Sequence, residues 1–381
     1  MLLKAARICL ILAAGAGSLL AKEPQQFRES TFIGAVGCKS SSCHGGAGPK
    51  RSQYITWSQH DYHTKAFPVL LNARSARIAE GLGITEAQTN ARCTVCHSPL
   101  QSVAPSRLAA TVRPDEGVSC ESCHGAAGGW LRGHTRTDWT YNIRVSAGMR
   151  DLRSLYVRAN ACVACHQNVP ADVLKAGHPE LFFELDGQSV AEPKHWRDEE
   201  EPWSGLREWL TGQAVALREI SWSLVNEPGD DLANARWNGV AWLCATAAST
   251  NGAWPQMSPP ASAPGISDFT QAQKEADVLA RKAAVSNWSE NAARTLLSRL
   301  ASTDTEFAAK GTANPVLAQR AKRLVLALDR LTNALNPNRD RPRKIDAQLN
   351  QLFADVRTLD AFDASLFAAH LQAFGAALES R

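Results

Sequence analysis

Methionine and tyrosine are scarce in this 381-residue chain, at three and four copies. Met149 is an isolated methionine, and packing is a plainer use for it than sulfur ligation of a metal. No strand, glycine-rich turn and helix follow one another in the arrangement that cradles phosphate, so a nucleotide fingerprint is missing. No basic patch or nucleic-acid module stands out, which leaves nucleic acid out of the expected partners. Beyond the first 21 residues no run is apolar enough to cross a bilayer. The formal charge is +4, and removing Lys4 and Arg7 with a leader would leave +2. Residues 32 to 196 also have few regular apolar periods and many turns, so an ordinary hydrophobic core is not expected there.

The beginning of the chain, MLLKAARICLILAAGAGSLLA, has two basic residues, an apolar run and small residues up to Ala21. That layout predicts an export signal at 1–21 and a periplasmic mature protein, with an uncleaved anchor as the alternative. Cys9 would leave with the signal. Nine of the ten cysteines would then remain. In an exported chain such a set normally suggests disulfides.

The neighbours of these cysteines point elsewhere. Three segments read CTVCH (Cys93, Cys96, His97), CESCH (Cys120, Cys123, His124) and CVACH (Cys162, Cys165, His166). A fourth, CKSSSCH, holds Cys38, Cys43 and His44 with two extra residues between the thiols. The C-x-x-C-H run is the attachment pattern of c-type haem. Two thiols add to the porphyrin vinyl groups, and the next histidine reaches the iron. Zinc also takes cysteine and histidine, but it does not require a histidine directly after each pair. The expectation is four covalent haems c, with His44, His97, His124 and His166 as proximal ligands.

Six further histidines are His60, His63, His134, His178, His195 and His370. All but His370 share the part of the chain that carries the motifs, so they are the candidates for the opposite face of each iron. His178, just beyond the fourth motif and followed by proline, is the first candidate for His166, with His195 the second. His195 is also the candidate for His97. If His97 lacks a partner, its iron could bind a small molecule. His60 and His63, three apart, would share one side of a helix.

The stretches TWSQHDYHTKAF (Thr56–Phe67), GVSCESCHG (Gly117–Gly125) and LRGHT (Leu131–Thr135) resemble the tetrahaem cytochrome c554 family. The resemblance spans roughly residues 32 to 196. It implies a compact array of closely packed porphyrins and periplasmic electron transfer. It also implies that His63 lies opposite His124 and that His134 lies opposite His44. Four-residue spacing like that of CKSSSCH occurs in multihaem cytochromes of the c3 type, which implies a wider clamp with Lys39 to Ser42 as a bulge.

The expected fold is mainly α: a haem-packed multihaem cytochrome c domain followed by a helical bundle or hairpin region. Leu206, Leu210, Leu217, Ile220 and Leu224 make one helical face, widened by Trp209. Six of the eleven tryptophans lie between Trp196 and Trp242 and are expected as core or haem-edge packing. WLCATAAST keeps only Cys244, which argues against a fifth haem and for a buried, inert thiol. The expected division is 22–256 for the tetrahaem part with its Trp-rich extension, a linker at 257–266, and 267–381 for a helical docking or oligomerisation domain. Helices are expected near 268–301, 315–336, 343–357 and 361–378, with Asn314 and Pro315 opening the second. The expected partners are periplasmic redox proteins or cytochromes, with a homodimer through the C-terminal helices as one further use. Electron carriage is favoured over the alternative, a haem enzyme with an open distal site acting on a small nitrogen or sulfur compound.

Overall fold

The computed structural model describes residues 30–197, 201–308, 314–337 and 342–379. The expected signal and Cys9 lie outside them. Among the described residues the fold is mainly α, and the only β pairing is an isolated parallel bridge between Phe32 and Leu108. No described helix is long and apolar enough to cross a membrane.

The first part is built of short pieces: α1 (Gln53–His60), α2 (Ala73–Gly81), α3 (Ala91–His97), α4 (Cys120–His124), α5 (Tyr141–Ser146), α6 (Leu155–His166), α7 (Ala171–Lys175) and α8 (Leu185–Ala191). Polar side chains start several of them. Asn72, Asn90, Thr140 and Ser154 each accept a backbone N–H from the first turn. Such a cap supplies an orphan donor's partner and typically stabilises by about 1 kcal/mol. The apolar cluster here is small, with Leu70, Ala79 and Ala87 buried against Phe67, Ile84 and Cys93. That matches a region whose sequence carries few apolar periods.

Long helices follow: α9 (Ser204–Asn226), α10 (Asp231–Ser249), α11 (Ile266–Ala283), α12 (Glu290–Ala301), α13 (Pro315–Leu335), α14 (Arg343–Asp355) and α15 (Ala364–Glu379). The apolar face read from Leu206 to Leu224 is buried along α9, together with Trp209. Each such leucine contributes about 1.5–3 kcal/mol by leaving water. Asn314 caps α13 through the N–H groups of Val316 and Leu317, with Pro315 in the first turn, as its sequence predicts. The expected helix over 268–301 is instead two helices. Ser289 caps α12 by accepting from Ala292, and buried Trp288 packs on Trp254 at 5.3 Å in the break.

The proline-rich connector after Trp254 does not separate two cores. One continuous apolar cluster includes Ala159 and Val163 of α6, the faces of α9 and α10, and residues of α11 to α15 as far as Ala377. Trp237 of α10 meets Phe269 of α11 at 5.0 Å. Polar ties cross the same boundary. Arg218 of α9 and Tyr156 of α6 both bind Asp277 of α11, at 2.9 and 2.6 Å.

Candidate haem ligand pairs

In α3, α4 and α6 the two cysteines are three residues apart and the histidine is four from the first. Helical geometry therefore puts all three side chains on one face. CKSSSCH reaches a similar end by a different path. Its chain folds through tight turns in which Cys43 donates to the Ser40 carbonyl at 2.9 Å and His44 to the Cys38 carbonyl at 3.3 Å. A side chain at Gly45 would collide with the Lys39 carbonyl, so the loop closes only with glycine there. None of the nine described cysteines is in a disulfide, including those of all four segments.

Each motif histidine faces one other histidine from elsewhere in the chain. His44 and His134 stack with ring centres 6.1 Å apart at 15°. His63 faces His166 at 6.1 Å, His178 faces His97 at 6.3 Å, and His195 faces His124 at 6.2 Å. Two metal–imidazole bonds of about 2.0–2.1 Å each, plus roughly 1 Å from nitrogen to ring centre at either end, span about 6 Å. The gap in every pair therefore fits one metal ion between two imidazoles. Buried polar atoms of the same region, Ser119 Oγ, Ser122 Oγ, Trp130 Nε1 and Arg144 Nε, have no hydrogen-bond partner among the described residues. Their character suits a group bearing carboxylates, and haem carries two.

Only the His44–His134 pair is the one the sequence reading arrived at. His63 faces His166 rather than His124, His178 faces His97 rather than His166, and His195 faces His124 rather than His97. The His63 case has a local cause. Its carbonyl is held by the Val118 N–H at 3.1 Å, close to the third motif, while its ring nitrogen Nδ1 is drawn to Asp61 at 3.0 Å. Backbone and imidazole thus serve different motifs. His60 does not share a helical face with His63, because α1 ends at His60 and Asp61 is extended. His60 is exposed, and His370 binds Asp355 at 2.7 Å on the distant α15.

Neighbouring groups fix most of the imidazoles. His44 Nδ1 meets Gln53 Oε1 at 3.1 Å, and His97, His134, His178 and His195 meet the carbonyls of Ala66, Leu131, Pro179 and Pro193. Such contacts set the tautomer and leave the other nitrogen for a metal. Burial lowers the pKa of His97 and His166, and brings that of His124 down to about 4. A neutral imidazole is the form that ligates. The Asp61 contact has the opposite effect on His63 and raises its pKa.

The motifs also adjoin one another. The sulfur of Cys38 lies beside that of Cys120, and the sulfur of Cys96 beside that of Cys165. The third motif's helix, α4, packs on the fourth's, α6. The order of adjacency is therefore first, third, fourth, second. Cys244, by contrast, is fully buried on α10, and burial pushes its thiol up to about 12. Two residues that matter to this geometry escaped the sequence reading. Asp61 stands two positions before His63, a short spacing that could have been noticed. Glu121 lies within the third motif, where the pattern permits any residue.

The fold and the paired histidines define a multihaem c-type cytochrome. Residues 37–125 match the family described as Cytochrome c554 and c-prime, which supports a c554-type multihaem cytochrome and suggests covalent haem c and electron transfer. The matched span holds the first three motifs and His63; the fourth motif and His134, His178 and His195 lie beyond it. No curated protein and no solved structure matches the chain.

Proposed function

We propose that the protein is a periplasmic tetrahaem cytochrome that passes electrons between redox proteins. One observation carries this reading: each of four attachment motifs has its histidine set against a second histidine at 6.1–6.3 Å. Cys38 and Cys43, Cys93 and Cys96, Cys120 and Cys123, and Cys162 and Cys165 would hold the four groups through thioethers. His44–His134, His97–His178, His124–His195 and His166–His63 would supply the axial nitrogens. The bound haem contributes reversible one-electron chemistry at its iron, and the protein sets the potential through ligation, burial and nearby charge. The adjacency of the motifs supports a close-packed array. His178 opposite His97 weighs against an open catalytic iron, and so favours a carrier over an enzyme acting on a small nitrogen or sulfur compound.

A pyridine-haemochrome count with low-temperature electron paramagnetic resonance tests the reading. We expect four covalent haems per chain, all low-spin. Fewer than four, or a high-spin iron that binds nitric oxide in the resting protein, would overturn it.

A further inference from the structure

The histidine contacts differ in one respect that bears on electron flow. Asp61 is buried at 5% exposure, and its Oδ1 lies 3.0 Å from His63 Nδ1. Glu192 is beside them, with ligand-type atoms of all three residues within 4.8 Å of one another. His44, His97, His134, His178 and His195 place Nδ1 against neutral oxygens instead. The nearby cation Arg158 is engaged by Glu208 at 2.9 Å, which leaves it a weaker counterweight. Reduction removes one positive charge from an iron, so adjacent negative charge opposes it. A carboxylate on the outer nitrogen of an imidazole also makes that imidazole a stronger donor to an oxidised metal.

We propose that Asp61, reinforced by Glu192, gives the centre held by His63 and His166 the lowest reduction potential of the four. The proposal rests on the ligand reading above and adds a residue to it. Asp61 is a positioning and tuning residue acting through His63. The carboxylate also caps the turn at Tyr62–Lys65 by accepting the His63 N–H at 2.8 Å. Asparagine can accept both bonds but carries no charge, so Asp61→Asn separates the electrostatic role from the structural one.

The test is a mediated redox titration of the full haem-loaded protein, followed by electron paramagnetic resonance. His63→Ala first identifies the centre, as the low-spin signal that disappears. In Asp61→Asn that same signal should titrate at a higher potential, with its reduction equilibrium favoured at least tenfold, about 59 mV for one electron. The centre of His124 and His195, which also lies near these two carboxylates, should move by less than the His63 centre, and the other two by less than threefold. Glu192→Gln should move the same centre in the same direction by a smaller factor, and it decides the matter if Asp61→Asn loads fewer haems. If the His63 signal shifts less than threefold in the deciding variant, or was not the lowest to begin with, the tuning proposal falls while the ligand reading stands. If His63→Ala keeps all four low-spin signals, the ligand reading itself fails.

Discussion

Glu121 occupies a variable position of the third motif, yet its carboxylate is buried and fully used. It accepts the N–H of Ile33 at 2.9 Å, of Gly34 at 2.7 Å and of Ala127 at 2.6 Å. Burial pushes its carboxyl up, against the pull of those three donors. The effect is to pin the chain leading into CKSSSCH onto the third motif. Gly34, at φ 74°, can make that approach because a side chain there would strike Glu116. Removing the carboxylate strands buried donors, at about 1–3 kcal/mol for an unsatisfied group. Glu121→Ala should therefore lower the melting temperature of the haem-loaded protein clearly, and Glu121→Gln less, since an amide oxygen still accepts. Equal melting of Ala and wild type would contradict this account. At this scale the attachment residues were legible because covalent chemistry dictates their type and order. The facing partners were only partly so: the family resemblance linked His134 to His44 across 90 residues of chain, but His63 crosses 103 residues to meet His166. Nothing local in the sequence encodes which ring a turn will aim at.

The helices of the second part were legible for a different reason. Their apolar residues recur at helical intervals, and caps such as Asn314 mark their starts. What periodicity does not tell is which helices touch. Gly239 on α10 lies so near α13 that an added Cβ would sit 2.9 Å from the Gln319 carbonyl oxygen. Backbone atoms cannot swing aside as a side-chain end can. Gly239→Ala, favourable by helix propensity alone, should instead destabilise by about 1–3 kcal/mol through overpacking. Denaturant unfolding measures the sign directly, and a stabilised variant would mean that the two helices separate readily. The α13 side of the assembly also carries a charge set, with buried Arg323 on Glu184 at 2.8 Å and half-buried Arg330 on Asp186 at 3.0 Å. These pairs join α13 to α8 and the residue before it, tying the last helices to the region just after the motifs.

Across the whole molecule, that tie bears on the connector at 257–266. A proline-rich stretch reads as a boundary because it interrupts helical periodicity, and interrupted chain is visible in sequence. Continuity of the core behind it is not, since Ala159, Leu217, Leu279 and Leu328 come together only in the fold. The polar seam between α6, α9 and α11 strengthens the same contact. Asp277 receives Tyr156 and Arg218, and Arg281 of its own helix, and these hydrogen bonds hold its carboxyl below the ordinary 3.8 despite the opposing effect of burial. A carboxylate with a lowered folded pKa stabilises above its unfolded value and loses that contribution as pH falls through the folded one. Protein nicked by protease within 257–265 should therefore stay a single sedimenting particle at neutral pH and unfold in one transition. Below about pH 4 the seam weakens, and the two pieces should begin to part. Asp277→Asn should make the nicked pieces part more readily at neutral pH and remove this contribution to the acid dependence. Two pieces that separate freely at pH 7 would instead establish the connector as a true domain boundary. In that case the contacts of α6 with the later helices would be too weak to unite the haem-bearing part and the helical part.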